Sequence, residues 1–106
     1  MQQAPERTAV IVDDDADVRN LLAAILQQAG FTCIITSNGP DGIEAIREHD
    51  PILTTLDVSM PGIGGFEVVR RIRSCSTTYV IMVSARNEEI DTLMGLDAGA
   101  DDYLTK

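Results

Sequence analysis

Residues 8–15 read TAVIVDDD, a short strand-forming run that leads directly into three consecutive aspartates. An unbroken apolar run of this kind is typical of a strand that is buried on both faces, as strands are in parallel sheets. The aspartates stand where such a strand would end. The stretch therefore predicts a buried parallel strand that carries carboxylates at its carboxyl end.

Strand-like runs and helical segments alternate along the rest of the chain. The further strand-like runs are 31–35, 52–56, 79–83 and the pair Tyr103 and Leu104. Between the first two strands, apolar residues at helical spacing form one stripe: Val18, Leu21, Leu22, Ile25, Leu26 and Ala29. Later helices are indicated around Ile43 and Ile46, over 66–72 and over 87–98. The order βαβαβαβαβ with short connections predicts a parallel sheet with helices on both faces.

The composition fits one globular domain and excludes several kinds of partner. With 17 acidic and 8 basic residues in 106, the net charge of −9 argues against direct binding to nucleic acid or to an anionic membrane. Arg70, Arg71 and Arg73 are accordingly expected on the solvated side of their helix. No apolar run approaches the ~18 residues that a membrane span requires. Cys33 and Cys75 lack disulfide or metal spacing, so we expect reduced thiols and a cytoplasmic location.

Polar residues follow four of the five predicted strands. They are Asp13, Asp14 and Asp15 after the first strand, Asp57 after the third, Ser84 after the fourth and Lys106 after the fifth. Ligands of open α/β sheets bind beyond the carboxyl ends of the strands, where these residues would be neighbours. Each has an ordinary explanation alone: Asp15 is favoured as a helix N-cap, and Ser84 or Lys106 could simply be solvated. The combination indicates a site.

The chemistry of this set favours a divalent cation and a phosphoryl group. Clustered carboxylates repel one another unless a cation lies between them, and Mg²⁺ prefers one or two carboxylates together with phosphate oxygens. A serine hydroxyl and a lysine ammonium could hold the remaining phosphoryl oxygens. Asp57 is then the nucleophile, as carboxylates are in aspartyl-phosphate chemistry.

Four segments carry a resemblance to a known family: VIVDDD at 10–15, LDVSMPGIGGFEV at 56–68, IMVSAR at 81–86 and GADDYLTK at 99–106. Together they resemble the receiver domains of response regulators in two-component signalling, over nearly the whole chain. The resemblance implies a flavodoxin-like, doubly wound sheet of five parallel strands in the order 2-1-3-4-5. It also implies that residues 1–106 form one receiver domain.

The resemblance assigns a role to each site residue. It implies that Asp57 is the phosphoacceptor, and that Asp14 and Asp57 bind Mg²⁺ directly with the backbone carbonyl of Ser59. Asp13 would contribute to the same metal site largely through water. Ser84 would be the switch hydroxyl, Lys106 the phosphate-contacting lysine and Tyr103 the aromatic ring that swings inward when the hydroxyl moves.

The implied function is a phosphorylation-controlled switch that catalyses only its own phosphorylation and dephosphorylation. Its partner would be a histidine kinase or a phosphotransfer protein, and its output an effector domain outside this chain, for example a DNA-binding one. Two alternatives are weaker. A Mg²⁺-dependent phosphatase with an aspartyl nucleophile would want a second aspartate at position 59, and a degenerate receiver that serves only as an interaction module would not need the complete site.

The chain departs from the family pattern at two places. Gly64-Gly65 stands where the family usually has Asp-Gly, which removes a helix-initiating carboxylate but no predicted ligand. The family also continues with Pro-Phe and a fifth helix after the lysine, so the receiver domain is expected to be truncated after its fifth strand. One face of the sheet would then expose apolar surface and favour association, for example as a dimer.

Overall fold

The computed structural model describes residues 7–84 and 89–105. Five parallel strands form one sheet in the order β2-β1-β3-β4-β5. The strands are β1 Thr8–Val12, β2 Thr32–Thr36, β3 Leu53–Asp57, β4 Tyr79–Ser84 and β5 Asp102–Thr105. The helices are α1 Ala16–Gln28, α2 Gly39–His49, α3 Gly65–Ile72 and α4 Glu89–Ala98. The predicted fold class and strand order are confirmed.

The main hydrophobic core lies between the sheet and the layer formed by α2, α3 and α4. Alternate residues of the strands point into it, while α2 and α3 contribute their apolar stripes. Its fully buried members are Val10, Val12, Ile46, Leu56, Val68, Val69, Ile72, Val80 and Met82. This core fixes β1, β3 and β4 against two helices, and so fixes the ends of those strands.

The opposite face of the sheet is covered less completely. There α1 packs on β1 and β2, and Ala23 is its only buried side chain. Leu21 and Ile25 of the apolar stripe are 61% and 52% exposed, and Leu104 of β5 is also half exposed. Apolar side chains of α1 and β5 therefore remain in contact with solvent.

The helix starts show how local sequence sets the chain's path. The side chain of Asp15 caps α1 by accepting hydrogen bonds from the backbone N–H groups of Asp17 and Val18, as predicted. Asn38 caps α2 in the same way. Helix α3 begins after Gly64 without a side-chain cap, which is the expected result of the missing aspartate.

Arg73 corrects one sequence interpretation. Arg70 and Arg71 are exposed and pair with Glu67, but the guanidinium of Arg73 turns toward the amino-terminal edge of the sheet. It donates hydrogen bonds to the carbonyl oxygens of Thr78 (2.6 Å) and Gly99 (2.9 Å) and forms an ion pair with Asp101 (2.9 Å). Arg73 therefore ties α3 to the segments that precede β4 and β5.

The end of α2 offers a test of backbone conformation. Asp50 has φ 44°, a left-handed backbone conformation. This conformation is unfavourable in free energy for a residue with a Cβ atom but not for glycine. The negative charge of Asp50 also lies at the unfavourable end of the helix dipole. Asp50→Gly should therefore raise the free energy of unfolding by about 0.5–1 kcal/mol, measured by urea denaturation. Glu48→Gly, two residues earlier in the last turn of the same helix, should instead lower it by up to about 1 kcal/mol. An Asp50→Gly midpoint at or below that of the unmodified chain would contradict this account.

Candidate functional site

The strand register brings the predicted site residues to one edge of the sheet. Val12 of β1 lies level with Leu56 of β3, so the residues that follow them, Asp13 and Asp57, are also level. Asp57 in turn lies opposite Val83, and Ser84 is the next residue of β4. The carboxyl ends of three adjacent strands therefore present two carboxylates and a hydroxyl side by side, as the sequence predicted.

Three carboxylates meet at this edge. One oxygen each of Asp13, Asp14 and Asp57 lies within 4.8 Å of the others. Asp13 and Asp57 are 1% and 4% exposed, whereas Asp14 is exposed. Two of the three carboxylates are thus buried, and the third faces solvent. These three residues are called the acidic cluster below.

Asp13 is held by the turn that connects β1 to α1. Its Oδ1 accepts a hydrogen bond from the Asp15 N–H (2.9 Å), and its own N–H donates to the Thr36 carbonyl (3.2 Å). Arg19 donates to the Asp13 carbonyl from the first turn of α1 (3.0 Å). The three consecutive aspartates therefore have different environments, with Asp13 turned inward, Asp14 outward and Asp15 capping the helix. Sequence reasoning missed Arg19, whose only signal is that it stands one helical turn after the cap.

The loop from β3 to α3 contains Ser59, the predicted carbonyl ligand. Val58 and Met60 are buried on either side of it, while the Ser59 side chain is exposed. Gly62 adopts φ 81°, a conformation that suits glycine, and the Gly65 N–H donates to the Val58 carbonyl (2.9 Å). The loop is short and anchored on both sides of Ser59. The ligand role of Ser59 stays a prediction.

The remaining predicted residues occupy different positions. Ser84 is buried at the end of β4, beside the strand that carries Asp57. Tyr103 lies two positions further back, level with Met82, and its half-buried ring packs against the main core. Lys106, the predicted phosphate-contacting lysine, lies outside the described residues.

The donor set of the acidic cluster fits a hard divalent cation. Carboxylate oxygens are the ligands that Mg²⁺ and Ca²⁺ prefer, and a Mg²⁺ ion keeps several waters, for which the open side next to Asp14 leaves room. Repulsion among three negative charges at this separation is relieved by a cation at their centre. The cluster therefore suits a small, oxygen-coordinated ion better than a transition metal, which would favour histidine or cysteine ligands.

An open parallel sheet in this strand order, with carboxylates gathered at the ends of β1 and β3, defines a flavodoxin-like α/β protein with an acidic site at its carboxyl edge. The family described as the response regulator receiver domain matches residues 9–106. The chain belongs to this family. The resemblance inferred from its four sequence segments is confirmed.

Individual relatives agree with this assignment. The chain is 42% identical over 97 residues to the transcriptional regulatory protein AfsQ1 of Streptomyces coelicolor, covering 92% of this chain and 43% of AfsQ1. The BeF3-activated N-terminal receiver domain of Klebsiella pneumoniae RstA superposes with a TM-score of 0.88 and 27% identity, covering 94% of this chain and 86% of that one. A chain of the CheX–CheY–BeF3–Mg²⁺ complex from Borrelia burgdorferi superposes with a TM-score of 0.86 and 27% identity, covering 94% and 78%.

Two further facts bound the functional interpretation. The chain spans less than half the length of the curated relatives that it matches. In the part of the chain that the structure describes, no helix combines the length and apolar character needed to span a membrane.

The acidic cluster predicts opposite effects of one substitution with and without a divalent cation. In metal-free buffer, Asp14→Asn should raise the free energy of unfolding by a few tenths of a kcal/mol, since it removes one of three mutually repelling charges. Added Mg²⁺ should stabilise the unmodified chain by mass action and the variant much less. Urea denaturation with Mg²⁺ or with a chelator measures both effects. Asp17→Asn, an exposed aspartate outside the cluster, should keep the full response to Mg²⁺. Unmodified protein whose stability ignored millimolar Mg²⁺ would count against the site.

Proposed function

We propose that this chain is the phosphoacceptor domain of a two-component signalling system and takes a phosphoryl group onto Asp57. The main support is the convergence of Asp13, Asp14 and Asp57 to within 4.8 Å at the carboxyl edge of a receiver-family sheet. Asp57 closes a strand that is hydrogen-bonded to neighbours on both sides. Its carboxylate is therefore carried by an interior strand of the sheet, which suits a group that must be held in one geometry for reaction.

Asp13, Asp14 and Asp57 are the residues that would hold Mg²⁺, with the Ser59 carbonyl as a further ligand and with Asp13 acting largely through water. Bound Mg²⁺ would neutralise charge on the carboxylates and on the phosphoryl oxygens. The fold itself would position the carboxylates. Strands β1 and β3 hold Asp13 and Asp57 level, and the turn that caps α1 places Asp14 on the solvent side.

In the proposed transfer, an Asp57 carboxylate oxygen forms a bond to phosphorus while the bond from phosphorus to the donor breaks. With a histidine kinase or a phosphotransfer protein as donor, the broken bond is phosphorus to imidazole nitrogen, and its electron pair stays on the nitrogen. Water later reverses the modification by hydrolysing the acyl phosphate. The domain thus catalyses only reactions of its own side chain and is not an enzyme that acts on a separate substrate.

The signal would pass from the phosphoryl group to the surface formed by α4 and β5. Ser84 is buried next to the strand of Asp57, where its hydroxyl could donate to a phosphoryl oxygen, and Lys106 would pair with another. These interactions exist only in the phosphorylated state, which is the differential free energy that a two-state switch requires. Tyr103, on the strand next to Ser84, would move inward as the hydroxyl moves.

The output would come from another part of the polypeptide. AfsQ1 is named a transcriptional regulatory protein, and the alignment covers 43% of it, so we propose that a DNA-binding effector domain accompanies this receiver. The receiver itself, with its net charge of −9, would not bind nucleic acid directly. The exposed apolar side chains of Leu21, Ile25 and Leu104 would favour association, including a dimer.

The phosphoacceptor assignment predicts one product. Incubation with Mg²⁺ and acetyl phosphate should add one acid-labile phosphoryl group, and Asp57→Asn should abolish it because the amide lacks a nucleophilic carboxylate oxygen. Intact mass spectrometry followed by peptide mapping measures the adduct. Asp50→Asn, an aspartate at the end of α2, is the matched control and should react like the unmodified chain. A label on His49 or on a serine would contradict the assignment, and an intact acidic cluster that accepted no phosphoryl group would indicate an interaction module instead.

The proposed switch predicts that a substitution at Ser84 can abolish the conformational response without preventing phosphorylation. Ser84→Ala should still be phosphorylated at Asp57 but should lose the phosphorylation-dependent change around Tyr103, since the hydroxyl that links the two is gone. Tyrosine fluorescence in a Tyr79→Phe background reports on Tyr103 alone. Ser76→Ala, another buried serine, lies at the opposite end of β4 and should keep the change. The mechanism fails if Ser84→Ala shows the full change at Tyr103.

A further inference from the structure

The first residue of α3 lies against the backbone of Asp57. A Cβ atom at Gly65 would stand 2.4 Å from the Asp57 carbonyl oxygen and 3.1 Å from its carbonyl carbon, whereas ordinary contact begins at 3.4 Å. A larger residue would thus require the two segments to separate by about 1 Å. The missing side chain lets the start of α3 close onto the end of β3.

The same close approach includes the next peptide. The Gly65 N–H donates to the Val58 carbonyl at 2.9 Å, and a Cβ atom at Gly64 would stand 2.9 Å from that oxygen. Two consecutive carbonyl groups, those of Asp57 and Val58, are therefore enclosed by Gly64 and Gly65. These carbonyls belong to the peptides that orient the phosphoacceptor and that lead into Ser59.

Neither side of this contact can retreat easily. Val68, Val69 and Ile72 anchor α3 in the core with no exposed surface. Strand β3 is held in register between β1 and β4. Well-packed cores resist such displacement, so most of the shift would fall on the end of β3, at Asp57.

We propose that Gly65 is a positioning residue for phosphoryl transfer: the lack of a side chain at this position sets the backbone of Asp57 so that its carboxylate joins Asp13 and Asp14. The inference rests on the proposed function, because it concerns the same reaction. Gly65 would not touch the phosphoryl group; it acts through the main chain of Asp57. In the sequence, Gly65 is distinguished only as the glycine that matches the family's Asp-Gly pair.

A graded set of alanine substitutions tests this role. Gly65→Ala presses on the Asp57 carbonyl and on Met82, whose Cε would be 2.8 Å from the new Cβ. Gly64→Ala creates a milder steric overlap, because its new Cβ would lie 2.9 Å from the Val58 carbonyl oxygen. Gly95→Ala is the matched control: it also adds a Cβ within a helix and meets Met82 and Tyr103, both at 3.0 Å, but none of its close contacts is with Asp57. All three are compared in the full chain by Mg²⁺ titration calorimetry, by the rate of labelling with acetyl phosphate and by melting temperature.

Gly65→Ala should weaken Mg²⁺ binding about tenfold and slow labelling about a hundredfold, since a misplacement of this size can cost that much in rate. Gly64→Ala should show smaller losses of both. Gly95→Ala should bind Mg²⁺ like the unmodified chain, whichever way its melting temperature moves. That pattern separates positioning from a general loss of stability.

Three results would overturn the inference. One is a folded Gly65→Ala chain with unchanged Mg²⁺ affinity and labelling rate. Another is a Gly95→Ala chain that loses as much Mg²⁺ affinity as Gly65→Ala. If Gly65→Ala does not fold, Gly64→Ala decides, and unchanged Mg²⁺ affinity and labelling there count against the proposal. Failure of the unmodified chain to bind Mg²⁺ and to accept a phosphoryl group would instead reject the proposed function.

Discussion

Three carboxylates that lie within 4.8 Å of one another repel, and the repulsion grows when two of them are shielded from water. Such a cluster can persist only where the backbone cannot relax away from it. Here Asp13 follows β1, Asp57 is the last residue of the adjacent strand β3, and Asp15 caps α1 two residues after Asp13. The acidic cluster is therefore built into the sheet and its first turn, and it does not depend on a long loop.

The fold supports this arrangement by packing helices unusually close to the strand ends. A Cβ atom at Gly42 of α2 would stand 2.7 Å from Val12, the residue before Asp13. The start of α3 approaches the end of β3 in the same manner. Because helices at this distance leave little space for relaxation, the strand ends that carry the aspartates are confined from the core side while the opposite side of the cluster stays open.

Local sequence patterns predicted most of the elements, because strands and helix starts depend on nearby residues. The run at 8–12 became β1 without change, and Asp15 caps α1 as its position before an apolar stripe indicated. Periodicity could not show that Leu21 and Ile25 would lie exposed, since it identifies residues that share a face but not what covers that face.

Tertiary contacts explain what the sequence could not reveal about Arg73 and Gly65. Arg73 looked like a third solvated arginine, yet its partners come from segments 5 and 26–28 residues away. Gly65 matched the glycine of the family's Asp-Gly pair, but only the folded chain shows which backbone it approaches. The gathering of Asp13, Asp14 and Asp57 was predictable for the opposite reason, since the topology of a parallel sheet alone brings the ends of its strands together.

The ties that Arg73 makes at the amino-terminal edge of the sheet have a mechanical consequence for α4. Its guanidinium holds Gly99 and Asp101, which directly follow the carboxyl end of this ten-residue helix. For a helix ~15 Å long, a tilt of about 10° about this held end displaces the opposite end by about 2.5 Å and the held end hardly at all. The opposite, amino-terminal end of α4 is the one nearer in sequence to Ser84, so a partner lying along this helix would distinguish two tilts of the helix by an angle.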